Sequence, residues 1–202
     1  MLCATTMTKR HRTKAGEAVE RLRRDPDYIA NMAMRNRELA THHAAERKEL
    51  GELIDELRQA GLLIDDVWDL VNRPNNYDFA VPILLRHLGK DYCDRNLEGI
   101  GRAVAIPSSR AHWTEIVKRY KEIDEVHFMG AKQGLAVAVA KAVTRETLGE
   151  LIELLRDERH GNSRLLVLDG LKRFRGAEVS AVLQELSQDP LFAHSLGRRK
   201  PR

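Results

Sequence analysis

The chain has 202 residues, of which 34 are basic and 30 acidic, for a formal net charge of +4 and a pI near 9.2; 43% are hydrophobic and only 5% aromatic. That length suffices for one compact domain or an array of small units, and the near balance of charge permits a nucleic-acid partner without demanding one. The longest apolar stretch, Gly134 to Val143, is interrupted by Lys141 and is too short for a membrane span, and two cysteines, Cys3 and Cys93, exclude a disulfide framework, so a reducing, cytoplasmic setting is expected.

Few aromatics beside abundant Ala, Leu, Glu and Arg predict an all-α fold. The opening MLCATT lacks the flanks of a signal peptide, and Met7 offers a second start. Residues 1–24 form a basic, largely disordered segment that ends in a short helix from Thr13 to Arg24. Asp25-Pro26 then opens a long helix, with Asp as cap and Pro in the first turn, and Gly61 closes it. Along 25–61, Ile29, Met32, Leu39, Leu50, Leu53 and Leu57 recur at a spacing near 3.5, with Asn36, His43 and Glu46 in the middle of the stripe. Apolar ends around a polar middle suggest either a helix packed only at its ends or a coiled-coil partner, which admits a homodimer through this helix. A short helix carries Val67, Trp68, Leu70 and Val71, and the cluster NRPNN is a turn. From there short helices alternate with short breaks, over roughly 77–89, 92–105, 108–122, 125–143, 145–157, 161–174, 176–187 and 190–197, which is a chain of helical hairpins. Residues 198–202 are a basic tail.

The run DRNLEGIGRAVA contains a Gly-x-Gly that invites comparison with a phosphate-binding loop. No strand precedes it, however, and no Lys-Ser/Thr pair follows at the required spacing. The glycine recurs instead: Gly99, Gly134 and Gly170 stand 35 and 36 residues apart, and Leu85, Tyr120 and Leu155 in the preceding helices keep a step of 35. A glycine within a helix costs about 1 kcal/mol relative to alanine. Three at one register predict that another backbone passes close by at each. Units such as YDFAVPILLRHLGKDYCDRNLEGIGRAVA and TRETLGELIELLRDERHGNSRLLVLDGLKRF resemble HEAT repeats over about residues 62–197. The resemblance implies a short right-handed α-solenoid, preceded by the long helix, whose second helices line a concave face. In the second unit Trp113, Tyr120 and the turn IDEVHF depart from the pattern.

On those second helices, Glu98, Gln133 and Asp169 precede the three glycines, with Arg95, Arg102, Lys132, Arg164 and Lys172 nearby. Pointing outward, they would form a ribbon of mixed charge able to bind an extended partner. Metal and nucleophile signals are poor. His42 and Glu46 are an i, i+4 pair without a third ligand at a sensible spacing. His87, Asp91 and Cys93 read as a capped hairpin, and Asp91 and Asp94 would raise the Cys93 pKa rather than activate the thiol. Ser108-Ser109 after Pro107 read as a helix cap. The expectation is therefore a non-catalytic protein-binding protein without metal or cofactor, with weak non-specific nucleic-acid affinity through the basic ends and no membrane partner. One alternative is that of the HEAT-like alkylpurine DNA glycosylases, in which Trp68, Asp69 and Trp113 would stand for the aromatic residues and Asp of the cleft. The other is an immunity or adaptor protein that neutralises a single partner.

Overall fold

In a computed structural model, residues 14–71, 73 and 76–197 are described, with the side chains of 14, 15, 17 and 18 excepted. The basic tail 198–202, residues 1–13 of the N-terminal basic segment and most of the NRPNN turn lie outside the described residues. The regular structure among those described is all helical, with no strand, and none of their helices is long and apolar enough to cross a membrane. The chain divides into two units, Met1–Ala45 and Glu46–Arg202.

In the first unit, α1 (Lys14–Leu22) is followed by α2 (Pro26–Glu49), which runs on across the division. The Asp25 carboxylate accepts the Asp27 and Tyr28 amides at 2.9 and 3.3 Å, satisfying donors of the first turn, and Pro26 supplies the preset φ of the first position. α2 has no buried residue.

The long helix expected over 25–61 is broken at Leu50 (φ −76°, ψ 0°), so that α3 (Gly51–Gln59) is separate and belongs with the second unit. The cause lies in packing: Leu50, Leu53 and Leu57 are all fully buried, whereas the stripe before them is exposed. Gly61 ends α3 as expected. Its φ of +97° lets its own amide reach the Arg58 carbonyl and that of Leu62 the Leu57 carbonyl, each at 2.9 Å, which satisfies carbonyls the helix leaves open.

After α4 (Trp68–Val71) come α5 (Val81–His87) with α6 (Asp94–Ala103), α7 (Trp113–Glu122) with α8 (Met129–Ala142), α9 (Leu148–Arg156) with α10 (Arg164–Leu171), and α11 (Ala177–Leu186) with α12 (Pro190–Gly197). Single 3-10 turns precede α5, α7 and α10. α8 starts four residues later than its periodicity suggested, because Asp124 turns the chain by accepting the Val126 amide at 3.0 Å through its carboxylate and that of Phe128 at 3.0 Å through its carbonyl. Leu85, Tyr120 and Leu155, the repeating first-helix positions, are all buried.

Within this unit the second helices pack in succession, α6 on α8 and α8 on α10. Two of the three recurring glycines, Gly134 and Gly170, lie at these contacts with a backbone close by as expected, whereas Gly99 faces side chains instead. A Cβ on Gly134 would stand 2.5 Å from the Glu98 carbonyl oxygen, one on Gly170 2.9 Å from the Ala140 Cα, and one on Gly99 2.7 Å from the Val67 side chain. Gly101 adds a contact the repeat did not flag, its Cβ direction meeting the Gly134 carbonyl carbon at 2.8 Å. Glycine here exchanges helix propensity for close approach of two backbones.

A second device ties successive helices of this unit together. The residues at the N-caps of α6, α8 and α10 (Cys93, Phe128 and Ser163) make no capping side-chain bond. A carboxylate from earlier in the chain supplies it. Glu49 accepts the Cys93 amide at 3.0 Å, Asp94 those of Gly130 and Ala131 at 2.8 Å each, and Glu125 those of Asn162 and Ser163 at 3.0 and 3.2 Å. Each negative charge sits at the positive end of a helix dipole. At Glu49 burial works against ionisation, yet the bonds from Cys93 and Asn96 hold its carboxyl below the usual range.

Candidate functional site

Six of the eight predicted site residues are accessible, and two are withdrawn from the surface. Glu98, Arg102, Gln133 and Lys172 are half-buried, and Arg95 and Asp169 are exposed. Much of the charge is already paired, Glu98 with Arg102 at 2.7 Å, Asp169 with Lys172 at 3.0 Å and Arg95 with Glu46 at 3.2 Å. Arg95 also lies over the Trp68 ring, 5.2 Å from its centroid. The ribbon is therefore a row of short ion pairs rather than a field of one sign.

Lys132 and Arg164 do not belong to that row, because their side chains are 1% and 6% exposed. Lys132 shares the buried stripe of α8 with Leu135, Ala136 and Val139, at the i+3, i+4 and i+7 positions that lie on one face of a helix. Its ammonium donates to the Tyr120 carbonyl, to the Ile123 carbonyl at 2.9 Å and to His160 Nδ1 at 3.1 Å, and stands 4.1 Å from the centroid of the Tyr120 ring. It thus closes the C-terminal end of α7. Arg164, the first residue of α10, donates to the Leu155 carbonyl and to Asp189, both at 3.0 Å, and covers the Phe192 ring. Each cation is buried with enough acceptors to offset its desolvation.

The Lys132 cluster borders a cavity of about 680 Å³, which makes it the place to look for chemistry. Burial lowers the Lys132 pKa, against the pull of Glu125, Asp124 and Asp157, to about 8; burial and then the Lys132 charge bring His160 down to about 4. Near neutral pH this is an ammonium beside a neutral imidazole. All three ammonium hydrogens are engaged, so the nitrogen has no lone pair to offer as a nucleophile. His160 accepts at Nδ1 and carries its proton on Nε2, which lies 3.6 Å from Asp157 and makes no hydrogen bond. Ser163 donates to the His160 carbonyl at 2.6 Å and so receives the Tyr120 hydroxyl proton at 2.8 Å. The serine hydroxyl thus points at a carbonyl and not at a base. The cluster locks α7, α8 and the turn before α10 together. A lysine inside the Leu135–Val139 stripe was the one signal of it in the sequence.

Among the described residues, Glu52, Glu56 and His87 form the one group whose metal-ligand atoms lie within 4.8 Å of one another. Both carboxylates already face cations, Glu56 with Arg86 at 2.5 Å and Glu52 with Lys90 at 2.6 Å. His87 is fully buried, with Tyr92 hydroxyl at 2.6 Å from Nδ1 and Glu56 at 3.3 Å from Nε2. The donor set is neutralised from within. Tyr92 rather than Asp91 or Cys93 is the partner of His87.

The residues that would stand for a glycosylase cleft are committed elsewhere. Trp113 is buried, with its indole N–H donated to Glu150 at 3.1 Å. The Asp69 carboxylate accepts the Asp65 and Asp66 amides at 3.0 and 3.1 Å, and the Trp68 ring packs against the Gly99 backbone. Comparison with protein-family models, with curated proteins and with solved structures gives no match.

Proposed function

We propose that residues 62–197 form a short right-handed, HEAT-like solenoid, and that the protein is a cytoplasmic, non-catalytic module that binds another protein along the row Arg95, Glu98, Arg102, Gln133, Asp169 and Lys172. The observation that carries this reading is the glycine-mediated approach of α6, α8 and α10, which sets side chains of three helices close enough to act as one surface. Paired charges of both signs on it suit a polypeptide with its own mixed charges better than a polyanion. α2 is a separate candidate for association with a second copy, since Ile29, Met32 and Leu39 keep the 3-4 spacing with none of them buried. Sedimentation of Met32→Glu/Leu39→Glu beside the wild type tests it, and unchanged mass for the two would end that part of the proposal.

The face is tested by charge reversal. A partner captured from native lysate is identified, and its affinity is measured for Glu98→Lys/Asp169→Lys and for Glu115→Lys/Glu153→Lys. Loss of about tenfold or more is expected for the first pair and little change for the second, as for central against peripheral charges. Equal loss would place the site elsewhere. Release of alkylated bases from DNA by the purified protein would instead establish the glycosylase alternative, and capture of a single toxin-like partner whose activity is abolished would establish the immunity alternative.

A further inference from the structure

At the C-terminal ends of α8 and α10 lies a cavity of about 370 Å³ bounded by Arg110, Val143, Thr144, Arg145, Arg173 and Phe174. Its polar lining is three guanidinium groups and one hydroxyl, and no carboxylate lines it. Elsewhere on the second unit many arginines pair with acids, as Arg58, Arg86, Arg102, Arg156, Arg159 and Arg164 do, while Arg73 and Arg175 bond backbone carbonyls. Among the described residues no ion pair joins Arg110, Arg145 or Arg173 to a carboxylate. Glu146, next in sequence, feels the Arg145 charge, but its carboxyl is held below the usual range first by bonds from Thr144 and from its own amide.

The three arginines are held in different ways. Arg173 is anchored by weak bonds of 3.3 to 3.4 Å to the Lys141 and Val143 carbonyls, which fixes its fork at the end of α8. Arg145 lies over the Phe174 ring at 5.7 Å from the centroid. Arg110 is exposed, and no side-chain hydrogen bond of it or of Arg145 is found among the described residues. Burial and the Arg110 charge both hold the Arg173 pKa below its usual value, which places two like charges within reach of each other. Like charges gathered around a cavity that no acidic residue lines raise the free energy of the unliganded protein, and an oxyanion there lowers that cost while taking up planar, bidentate N–H donors.

We infer that this cavity binds a phosphate monoester presented by a polypeptide partner. A dianion suits a lining of three arginines better than a single carboxylate does. A nucleic-acid strand is disfavoured because the charges on the accessible side of α6 and at the end of α10 are ion pairs, Glu98 with Arg102 and Asp169 with Lys172, and not a field of positive charge that further backbone phosphates would follow. The polypeptide half of the inference rests on the proposed protein-binding face; the anion site itself does not.

The experiment uses the full chain and three probes, which are inorganic phosphate, a short peptide with a central phosphoserine together with its unphosphorylated form, and a single-stranded 12-mer DNA. Binding is read by calorimetry and by the shift of arginine Nε–Hε resonances. The phosphopeptide is expected to bind at least about tenfold more tightly than the unphosphorylated form, to compete with inorganic phosphate, and to weaken at least about tenfold in Arg110→Gln/Arg145→Gln. Both residues are exposed, and the contact the variant gives up is that of Arg145 with the Phe174 ring, so it should melt close to the wild type, which is checked; Arg110→Lys/Arg145→Lys, which keeps the charge and removes the forks, should recover only part of the affinity. No difference between the two peptides would overturn the inference, as would undiminished binding in the Gln variant. Preference for the 12-mer, with a steep salt dependence, would overturn it in favour of nucleic acid. Phosphopeptide binding retained in Glu98→Lys/Asp169→Lys separates the anion site from the face, so that failure of one is not failure of the other.

Discussion

Gly134→Ala adds one methyl group where α6 and α8 are closest. The new Cβ would lie 2.5 Å from the Glu98 carbonyl oxygen and 3.1 Å from its Cα. Carbon and carbonyl oxygen ordinarily approach no closer than about 3.3 Å, so the helices must part by about 0.8 Å. Both neighbouring atoms are helical backbone, so no rotamer change relieves the clash. A gap of that size forfeits about a quarter to a half of each dispersion contact along the seam, and overpacking of a tight core costs about 1–3 kcal/mol. Against this stands the gain of about 1 kcal/mol from alanine in a helix. With a backbone-to-backbone clash the cost belongs at the upper end, for a net loss of about 2 kcal/mol and a fall in Tm of about 4–8 °C in a chain of this length. Gly149→Ala is the internal control, because a Cβ there meets nothing within 4 Å and the residue is exposed on α9. It should raise Tm by a few degrees. Gly99→Ala should fall between, since the atoms it meets belong to the side chains of Val67 and Trp68. The assay is thermal unfolding followed by circular dichroism. A Gly134→Ala melt at or above the wild type, moving with Gly149→Ala, would refute the packing account.

Asp94→Asn and Glu125→Gln should each cost about 1–2 kcal/mol, because the charge-assisted bonds to two amides at the start of α8 or α10 are weakened, and hydrogen exchange at Gly130 and Ala131 or at Asn162 and Ser163 should accelerate accordingly; unchanged exchange at those amides would dismiss the capping role. His160 has a folded pKa of about 4 against 6.5 in the unfolded chain, so on acidification the unfolded state takes up the proton first. Stability should fall between about pH 6.5 and 4, by about 2–3 kcal/mol in all, with this contribution complete above the upper bound. Urea unfolding at stepped pH measures it, and His160→Gln should flatten the dependence over that window; an equally steep curve in the variant would assign it to other groups.

Much of the local structure was legible in the sequence. Asp25-Pro26 and Gly61 act on backbone within a few residues of themselves, and the helix spans from α5 to α12 follow from periodicity and short breaks, so neighbours along the chain carried the information. The glycine register was legible too, because repetition exposes a constraint that a single glycine conceals. What only the tertiary structure decided depends on groups distant in sequence. Leu50 breaks the long helix because the leucines after it have a core to enter and those before it do not. Lys132 looked like a surface cation beside Gln133, yet one residue of helical rotation carries it into the stripe occupied by Leu135 and Val139, where the carbonyls ending α7 and a neutral His160 await it. The caps of α6, α8 and α10 come from Glu49, Asp94 and Glu125, 36 to 44 residues earlier in chain order. A rule that looks for a capping side chain at the helix start cannot find them, because the fold and not the local chain brings each carboxylate to the open amides.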